Sequence, residues 1–590
     1  MTDRFAYPLP FGANLRDDGH TQFRLWAPDS ASVLLELEGA ATVPMRPQGD
    51  GWFLAVVPSA AQTRYRYRVR PDLAVPDPAS RAQASDVHDP SLVVDPRAYA
   101  WRNADWRGRP WHETILYEAH AGLLGGFTGL TQRLPELAAL GVTAVELMPV
   151  ADFPGARNWG YDGVLPFAPD QAYGTPDELK ALIDRAHGLN LMMFLDVVYN
   201  HFGPDGNYLG AYASPFFRQD VTTPWGPAID FSRPQVRRFF IENALYWLME
   251  YRFDGLRLDA VHAIGDAGWL DELAAEVRRT IEPGRHVHLV LEHDGNAASH
   301  LTRGFDAQWN DDAHHVLHVL LTGEGDGYYK DYADTPAKHL ARCLAEGFAY
   351  QGEPSPYRDG ERRGEPSAHL PPTSFVMFLQ NHDQVGNRAF GERLNQLCPR
   401  ESLEAATALL LLSPQVPLIF MGEEWNSTSP FLFFTSHNDA LAAAVRDGRR
   451  REFARFPAFA SEEGRSRIPD PNDPATFLTS HPLPPGSRGS NTWHDLVRHL
   501  LAIRRDAIVP RLPGARVTES RAISAAAVRT AWRLADQSTL TIAVNFGTET
   551  APCGAIGGRV LFATGTAVAT GVAAGDLPAR SLIAVLDDAP

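Results

Sequence analysis

The chain has 590 residues, 44% hydrophobic and 10% aromatic, which is enough for a large core and too much for one small domain, so two to four domains are expected. A formal net charge of −17, spread along the chain, argues against nucleic acid or an anionic membrane face as a partner and favours a neutral small molecule or polymer. Only Cys343, Cys398 and Cys553 occur, too scattered for a disulfide framework or a CxxC site, and the start MTDRFAYPLPFG has no basic region followed by an apolar run; a soluble, cytoplasmic protein with no cofactor and no bound metal is expected.

From about residue 20 to 70 the pattern is all-β: TQFRLWAP, SVLLELEG, GWFLAVVP and TRYRYRVR are short, turn-bounded and rich in aromatic and β-branched residues. In the last, Tyr65, Tyr67 and Val69 alternate with arginines, which predicts one buried and one solvated face. A segment rich in Pro, Asp and Ser follows and reads as a connector. From about residue 111 the rhythm becomes strand, loop, helix, with strands predicted at 114–120, 142–150, 191–201, 253–262, 286–294, 304–311, 373–383 and 416–424. Most are near-continuous apolar runs, as expected where both faces of a parallel sheet are covered, and most end in polar or acidic residues. Helices lie between them, with start signals at Thr175 (Pro176 and Glu178 following) and at Ser232. Beyond about 510 the strand pattern returns. The predicted architecture is α/β, a (β/α)8 TIM barrel over 101–508 between an N-terminal β-sandwich (1–100) and a C-terminal β-sandwich (509–590), with excursions at 151–174, 202–230 and 311–372.

In such a barrel the C-terminal strand ends converge. Asp196 ends the third strand, Asp259 the fourth, Glu292 the fifth and Asp383 the seventh. Four carboxylates in one mouth need a cation or a proton, and Arg257, two residues before Asp259 and on the same face, is the available cation. The expectation is an ionised Asp259 attacking a sugar's anomeric carbon, with Glu292 delivering a proton that its negative neighbours make it keep. Carboxyls on adjacent strands at roughly 5 to 5.5 Å suit a retaining glycosidase, and Asp383 would bind sugar hydroxyls beside His382. Singly, each residue has a plainer reading: a strand-end Asp is most often a cap, His201 and His382 could be satisfied structural histidines, Tyr161 in WGYDG a packed loop or a sugar platform, and Glu118 and Glu423 structural. The joint occurrence of DVVYNH, GLRLDAVH, LVLEHD and QNHD at the correct ends of four strands outweighs them.

Those four strings resemble the motifs of the α-amylase superfamily of glycoside hydrolases. The resemblance implies Asp259 as nucleophile, Glu292 as general acid/base and Asp383 as transition-state stabiliser, with Arg257, His262, His201, His382 and Tyr161 serving the sugar and Asp196 and Asn200 supporting them. It also implies an immunoglobulin-like N-terminal sandwich. Longer strings, among them ELMPVADFPGARNWGYDG, AQWNDDAHHVLHVLLTGE and QNHDQVGNRAFGERL, are similar to the branch acting on maltooligosyltrehalose, whose products are trehalose and maltooligosaccharides. By that likeness Asn310, Asp311, Asp312, His314, Gln384 and Asn387 would contact substrate. A trehalose end differs on the leaving-group side of the cleft, where loops after strands six to eight, including Asp311, Asp312 and Glu424, are expected to select it. His293 and Asp294 receive no role, no EF-hand spacing occurs, and oligomeric state is not readable. Glucan branching or debranching, and a degenerate glucan-binding protein, are the alternatives.

Overall fold

The structure, a computed structural model, describes residues 5–223, 226–454, 459–482 and 492–588. The eight predicted apolar runs form one closed parallel barrel in chain order: β1 (Leu116–Ala119), β2 (Ala144–Leu147), β3 (Met192–Val197), β4 (Gly255–Leu258), β5 (His288–Leu291), β6 (Ala307–Trp309), β7 (Phe375–Phe378) and β8 (Val416–Phe420). Every residue of these strands is buried, which is why the sequence shows runs rather than alternation. Inside, Leu116, Met192, Phe194, Val290, Trp309 and Phe378 belong to a packed core that Trp106 and Trp111 of the connector close from below. Gly255 makes room for one of them, since a Cβ there would stand 2.1 Å from the Phe194 ring.

The helix Pro176–His187 opens with the predicted capping box: Thr175 Oγ1 accepts from the Glu178 amide at 3.2 Å, and Glu178 Oε2 accepts from the Thr175 amide at 2.7 Å. Ser232 does not cap the next one. The helix Pro234–Met249 starts after an extended Arg233 with Pro234 at its first position, and the Ser232 hydroxyl donates instead to Asp230 at 2.5 Å; proline supplies the required φ and has no amide to satisfy.

Two antiparallel sheets make the N-terminal sandwich, one centred on His20–Trp26 and Trp52–Pro58, the other on Leu34–Leu37 and Arg64–Arg70. Their inner faces meet at Phe23 and Tyr65, ring centroids 4.9 Å apart, and Tyr65, Tyr67 and Val69 are buried as the alternation predicts. Buried Arg81 docks this domain on the barrel, donating to the carbonyls of Tyr7 and Ala13 and lying 3.5 Å from Glu250. At the other end a five-stranded antiparallel sheet runs in the order Arg516–Ser524, Ala527–Arg533, Thr539–Asn545, Ser581–Asp587, Arg559–Ala563. One face rests on the barrel's helical shell, where Ser520 Oγ donates to the Ala341 carbonyl at 2.7 Å; the other is covered by the helix Thr566–Ala574 and the short pair Ala551–Pro552 and Asp576–Leu577. The outer strand Arg516–Ser524 is half-exposed and polar, so apolar patterning does not reveal it.

The excursion expected at 311–372 contains two helices, Asp311–Thr322 directly after β6 and Pro336–Glu346. That at 202–230 carries a hairpin of Phe217–Thr223 and Gly226–Ile229, residues 224 and 225 lying outside the described residues. An excursion after β8, with helices Asp439–Phe453, Glu462–Ser466 and Pro474–Thr479, was not anticipated; its polar, arginine-rich first helix buries only Phe453. No helix among the described residues is long and apolar enough to cross a membrane.

Candidate active site

The parity of β4 turns Arg257 into the barrel, where it is fully buried with its guanidinium carbon 4.3 Å above the Trp309 ring. Its Nη1 donates to both oxygens of Asp196, at 3.0 and 2.8 Å, and to Asp259 Oδ1 at 2.7 Å, while Nη2 lies 3.0 Å from Glu292 Oε2. One cation therefore joins the ends of β3, β4 and β5. Burial alone would lower its pKa; Asp196 and then Glu292 hold it well above the ordinary value.

Asp259 continues the β4 ladder by one residue, its amide donating to the Val197 carbonyl at 3.0 Å, and its second oxygen accepts from Asn200 Nδ2 at 2.8 Å. Both carboxylate oxygens thus take hydrogen bonds from fixed donors, an arrangement suited to a charged, oriented nucleophile. At Ala260 the chain turns left-handed, with φ of 40°, and this aims the Ala260 amide at Glu292 Oε2, 2.7 Å away. A non-glycine residue in that region costs about 1 to 3 kcal/mol, and here the strain stands directly between the two carboxyl groups.

Glu292 is held well above the usual carboxyl range, first by burial and then by the charges of Asp259 and Asp383, against the pull of Arg257. The expectation that negative neighbours retain its proton is corrected in emphasis: removal from water is the larger cause. Asp383 is the opposite case. Burial would raise it, yet the His382 imidazolium, with Nε2 3.4 Å from Oδ2, brings it down to about 2. His382 stays protonated despite burial because Asp383 and Glu118 flank it; its amide donates to Glu118 at 3.0 Å and Nδ1 meets the other Glu118 oxygen at 2.5 Å. Its Nε2 also lies 2.8 Å from the Tyr161 hydroxyl, which donates to Asp196 at 2.6 Å, and the two rings stack at 5.1 Å. Burial pushes Asp196 to about 6 in spite of Arg257. His201 Nε2 faces the Tyr161 carbonyl at 2.9 Å. Asp259, Glu292, Asp383, Arg257, Tyr161, His201, His382, Asp196 and Asn200 are thus brought into one constellation.

The later expectations divide. Asp311, Gln384, Asn387 and His262 line an open cavity of about 630 Å3 together with Glu292 and Asp383, a size suited to a small ligand. Asn310, Asp312 and His314 do not. Asn310 caps the helix Asp311–Thr322, accepting from the Ala313 amide at 3.2 Å and donating to the Gly347 carbonyl at 2.7 Å. Asp312, fully buried, accepts from Asn296, Tyr332, Arg363 and the amides of Ala349 and Tyr350, and so staples the excursion to the barrel. His314 Nδ1 meets the Leu379 carbonyl at 2.7 Å. These polar atoms are already engaged below the cavity. Glu424 is likewise buried, accepting from the Tyr117 hydroxyl and the Gly422 amide, both at 2.7 Å, and Glu423 holds Gln380 at 2.6 Å.

Glu118, weighed only as structural, is the residue that orients His382; its one sequence signal is its place at the end of β1. His293 and Asp294 gain local roles: His293 Nδ1 accepts from the Gly295 amide at 2.9 Å, and the Asp294 carbonyl accepts from Arg363 Nε at 2.7 Å. Among the described residues no group of three or more His, Cys, Asp or Glu is placed to hold a metal ion.

Three family patterns match the chain: carbohydrate-binding module 48 (isoamylase N-terminal domain) at residues 10–88, alpha amylase catalytic domain at 96–220, and the domain of unknown function DUF3459 at 515–583. A malto-oligosyltrehalose trehalohydrolase of Deinococcus radiodurans is 40% identical over 85% of this chain and 82% of its own length; one of Saccharolobus solfataricus is 39% identical over 75% and 80%. A crystal structure from Salmonella typhimurium, assigned provisionally as an alpha amylase, superposes with a TM-score of 0.92 at 43% identity over 99% of this chain and 100% of that one. With its barrel, its flanking β domains and relatives of this similarity, the chain belongs to the malto-oligosyltrehalose trehalohydrolase family of alpha amylase-type glycosidases.

Proposed function

We propose that this chain hydrolyses the α-1,4-glucosidic bond next to the terminal α,α-trehalose of maltooligosyltrehalose, releasing trehalose and a shortened maltooligosaccharide by double displacement. Asp259 attacks the anomeric carbon while protonated Glu292 gives its proton to the departing glycosidic oxygen, so one C–O bond forms as the other breaks. The glycosyl ester then opens to water, whose proton returns to the Glu292 carboxylate, and the α configuration is retained. Asp383, held anionic by His382, meets the positive charge that develops on the ring, with Tyr161 and His201 alongside.

The observation that carries this reading is the single guanidinium of Arg257 in contact with both Asp259 and Glu292: it holds the attacking carboxyl in place beside the proton donor, whose pKa burial raises. The named relatives supply the trehalose end. The division into units 1–100, 101–508 and 509–590 and a cytoplasmic location belong to the same proposal. The test is incubation of the pure protein with maltooligosyltrehalose and with plain maltooligosaccharides, followed by product identification and observation of the first-formed anomer. Trehalose and an α-configured product are expected. Formation of α-1,6 branches, or release of linear chains from a branched glucan, would instead establish branching or debranching, and binding without turnover a degenerate glucan-binding protein.

A further inference from the structure

The helix Asp439–Phe453, in the excursion after β8, lies beside the segment that carries Asp383, and one of its arginines is turned inward. The Arg449 side chain is 9% exposed, its guanidinium carbon 5.3 Å from the centre of the Phe433 ring and 5.0 Å from that of Phe453. Burial lowers its pKa to about 10, which leaves it charged at neutral pH. Among the described residues the nearest carboxylate oxygen is that of Glu452, 3.9 Å away. The hydrogen bonds go to backbone instead: Nη2 donates to the Gly386 carbonyl at 2.6 Å and to the Arg388 carbonyl at 3.2 Å. Taking a cation out of water is costly, and two carbonyls offset less of that cost than a carboxylate would. What the two bonds do is fix the chain on either side of Asn387.

That stretch of chain ends at the active site. The short helix His382–Gly386 holds Asp383 in its first turn and closes at Asn387. A cation at the carbonyls of a helix's last turn is favourably placed. Asn387 Nδ2 donates to Asp383 Oδ1 at 3.1 Å, while His382 Nε2 lies 3.4 Å from the other oxygen. Arg449 thus anchors both neighbours of the side chain that holds one oxygen of Asp383. The helix has little slack elsewhere. A Cβ on Gly386 would stand 2.1 Å from the Trp159 ring, that ring meets His382 edge-on at 5.7 Å, and its Nε1 is fixed on the Leu432 carbonyl at 2.9 Å. A shift of residues 386–388 is therefore transmitted to His382 and Asp383.

We propose that Arg449 is a positioning residue for Asp383, acting through the backbone of residues 386–388 and through Asn387 to hold the carboxylate where positive charge develops on the sugar. This rests on the reading of Asp383 as the group that meets that charge. Arg449→Met keeps an unbranched stem against Phe433 and Phe453 and removes the donors; Arg449→Lys keeps the charge and a donor, and serves if the first variant does not fold. The measurement is steady-state turnover of a maltooligosyl fluoride by wild type, both Arg449 variants, Asp383→Asn, and Asp383→Asn combined with Arg449→Met, with thermal midpoints alongside. In Arg449→Met kcat should fall about tenfold with KM within twofold, and Arg449→Lys should recover part of the loss. Added to Asp383→Asn, Arg449→Met should cause no further loss, because no charge is left to place. A kcat within twofold of wild type in the folded Arg449 variants, a loss confined to KM, or the same tenfold loss in the Asp383→Asn background overturns the proposal. Asp383→Asn separates the two failures: turnover there close to wild type removes the role of Asp383 itself, whereas a deeply impaired Asp383→Asn beside unchanged Arg449 variants removes only the role of Arg449.

Discussion

The two ends of β4 carry aspartates five positions apart, Asp254 and Asp259, and they do opposite work. Asp254, at the bottom, is fully buried and accepts from Trp106 Nε1 at 2.8 Å, the Met193 amide at 2.9 Å and His187 Nε2 at 3.0 Å, tying the connector, β3 and the helix Pro176–His187 together. Asp259, at the top, is held by Arg257 and Asn200 and keeps about 12% of its side chain exposed. Both are hydrogen-bonded carboxylates on one strand. The difference is that the lower site is closed by protein donors on every side, whereas the upper one leaves room for a reacting atom. The chemistry of a buried carboxylate is set by what its environment leaves unfilled.

The sharpest way to break this comparison is to neutralise the upper residue. Asp259→Asn should lower kcat about 10^5-fold while moving the thermal midpoint by about 2 °C or less, read by steady-state turnover and calorimetry; turnover close to wild type would remove Asp259 from the attack. The lower residue should behave in reverse. Asp254→Ala leaves the donors of Trp106, Met193 and His187 unmatched, and a loss of about 3 to 5 kcal/mol in denaturant unfolding is expected, with kcat of the folded fraction within about threefold. A stable but inactive Asp254→Ala would erase the distinction between the two ends.

A pH profile sharpens the upper site further. Because the Glu292 pKa is raised, the acid form persists to higher pH than in an ordinary carboxyl and is lost as pH rises through that pKa, so kcat/KM should fall about tenfold per unit on the alkaline side. A maltooligosyl fluoride, whose leaving group needs no protonation, should lose that limb; its persistence would assign it to another group. The smallest effect separates wall from cap. Asn310→Ala removes a helix cap and should cost about 1 kcal/mol of stability with KM unchanged, whereas Asn387→Ala, at the cavity, should raise KM several-fold with stability unchanged. Equal KM effects would restore Asn310 to the substrate.

Much of this was legible in the chain. The eight apolar runs gave the barrel, because a strand covered on both faces must be apolar throughout, and their polar tails gave Asp196, Arg257, Asp259, Glu292 and Asp383, because parallel strands bring their C-terminal ends to one mouth. The string NDDAHH shows where this stops. Asn310, Asp311, Asp312, His314 and His315 are consecutive or nearly so, yet the helix turns each neighbour about 100° from the last: Asp311 and His315 face the cavity, while Asn310, Asp312 and His314 close bonds inside the protein. Ser232 likewise looked like a cap until Asp230 was seen to hold it.

What the sequence determined by itself was the order of strands and the chemical identity of the groups at their ends, since periodicity and residue type are local properties. The tertiary structure decided which of those groups share a proton, a cation or a cavity: Glu118 orients His382, burial ahead of the neighbouring charges raises the Glu292 pKa, and His315 rather than His314 lines the cavity. Those outcomes depend on distances and solvent exclusion between segments far apart in the chain, and one-dimensional spacing carries neither.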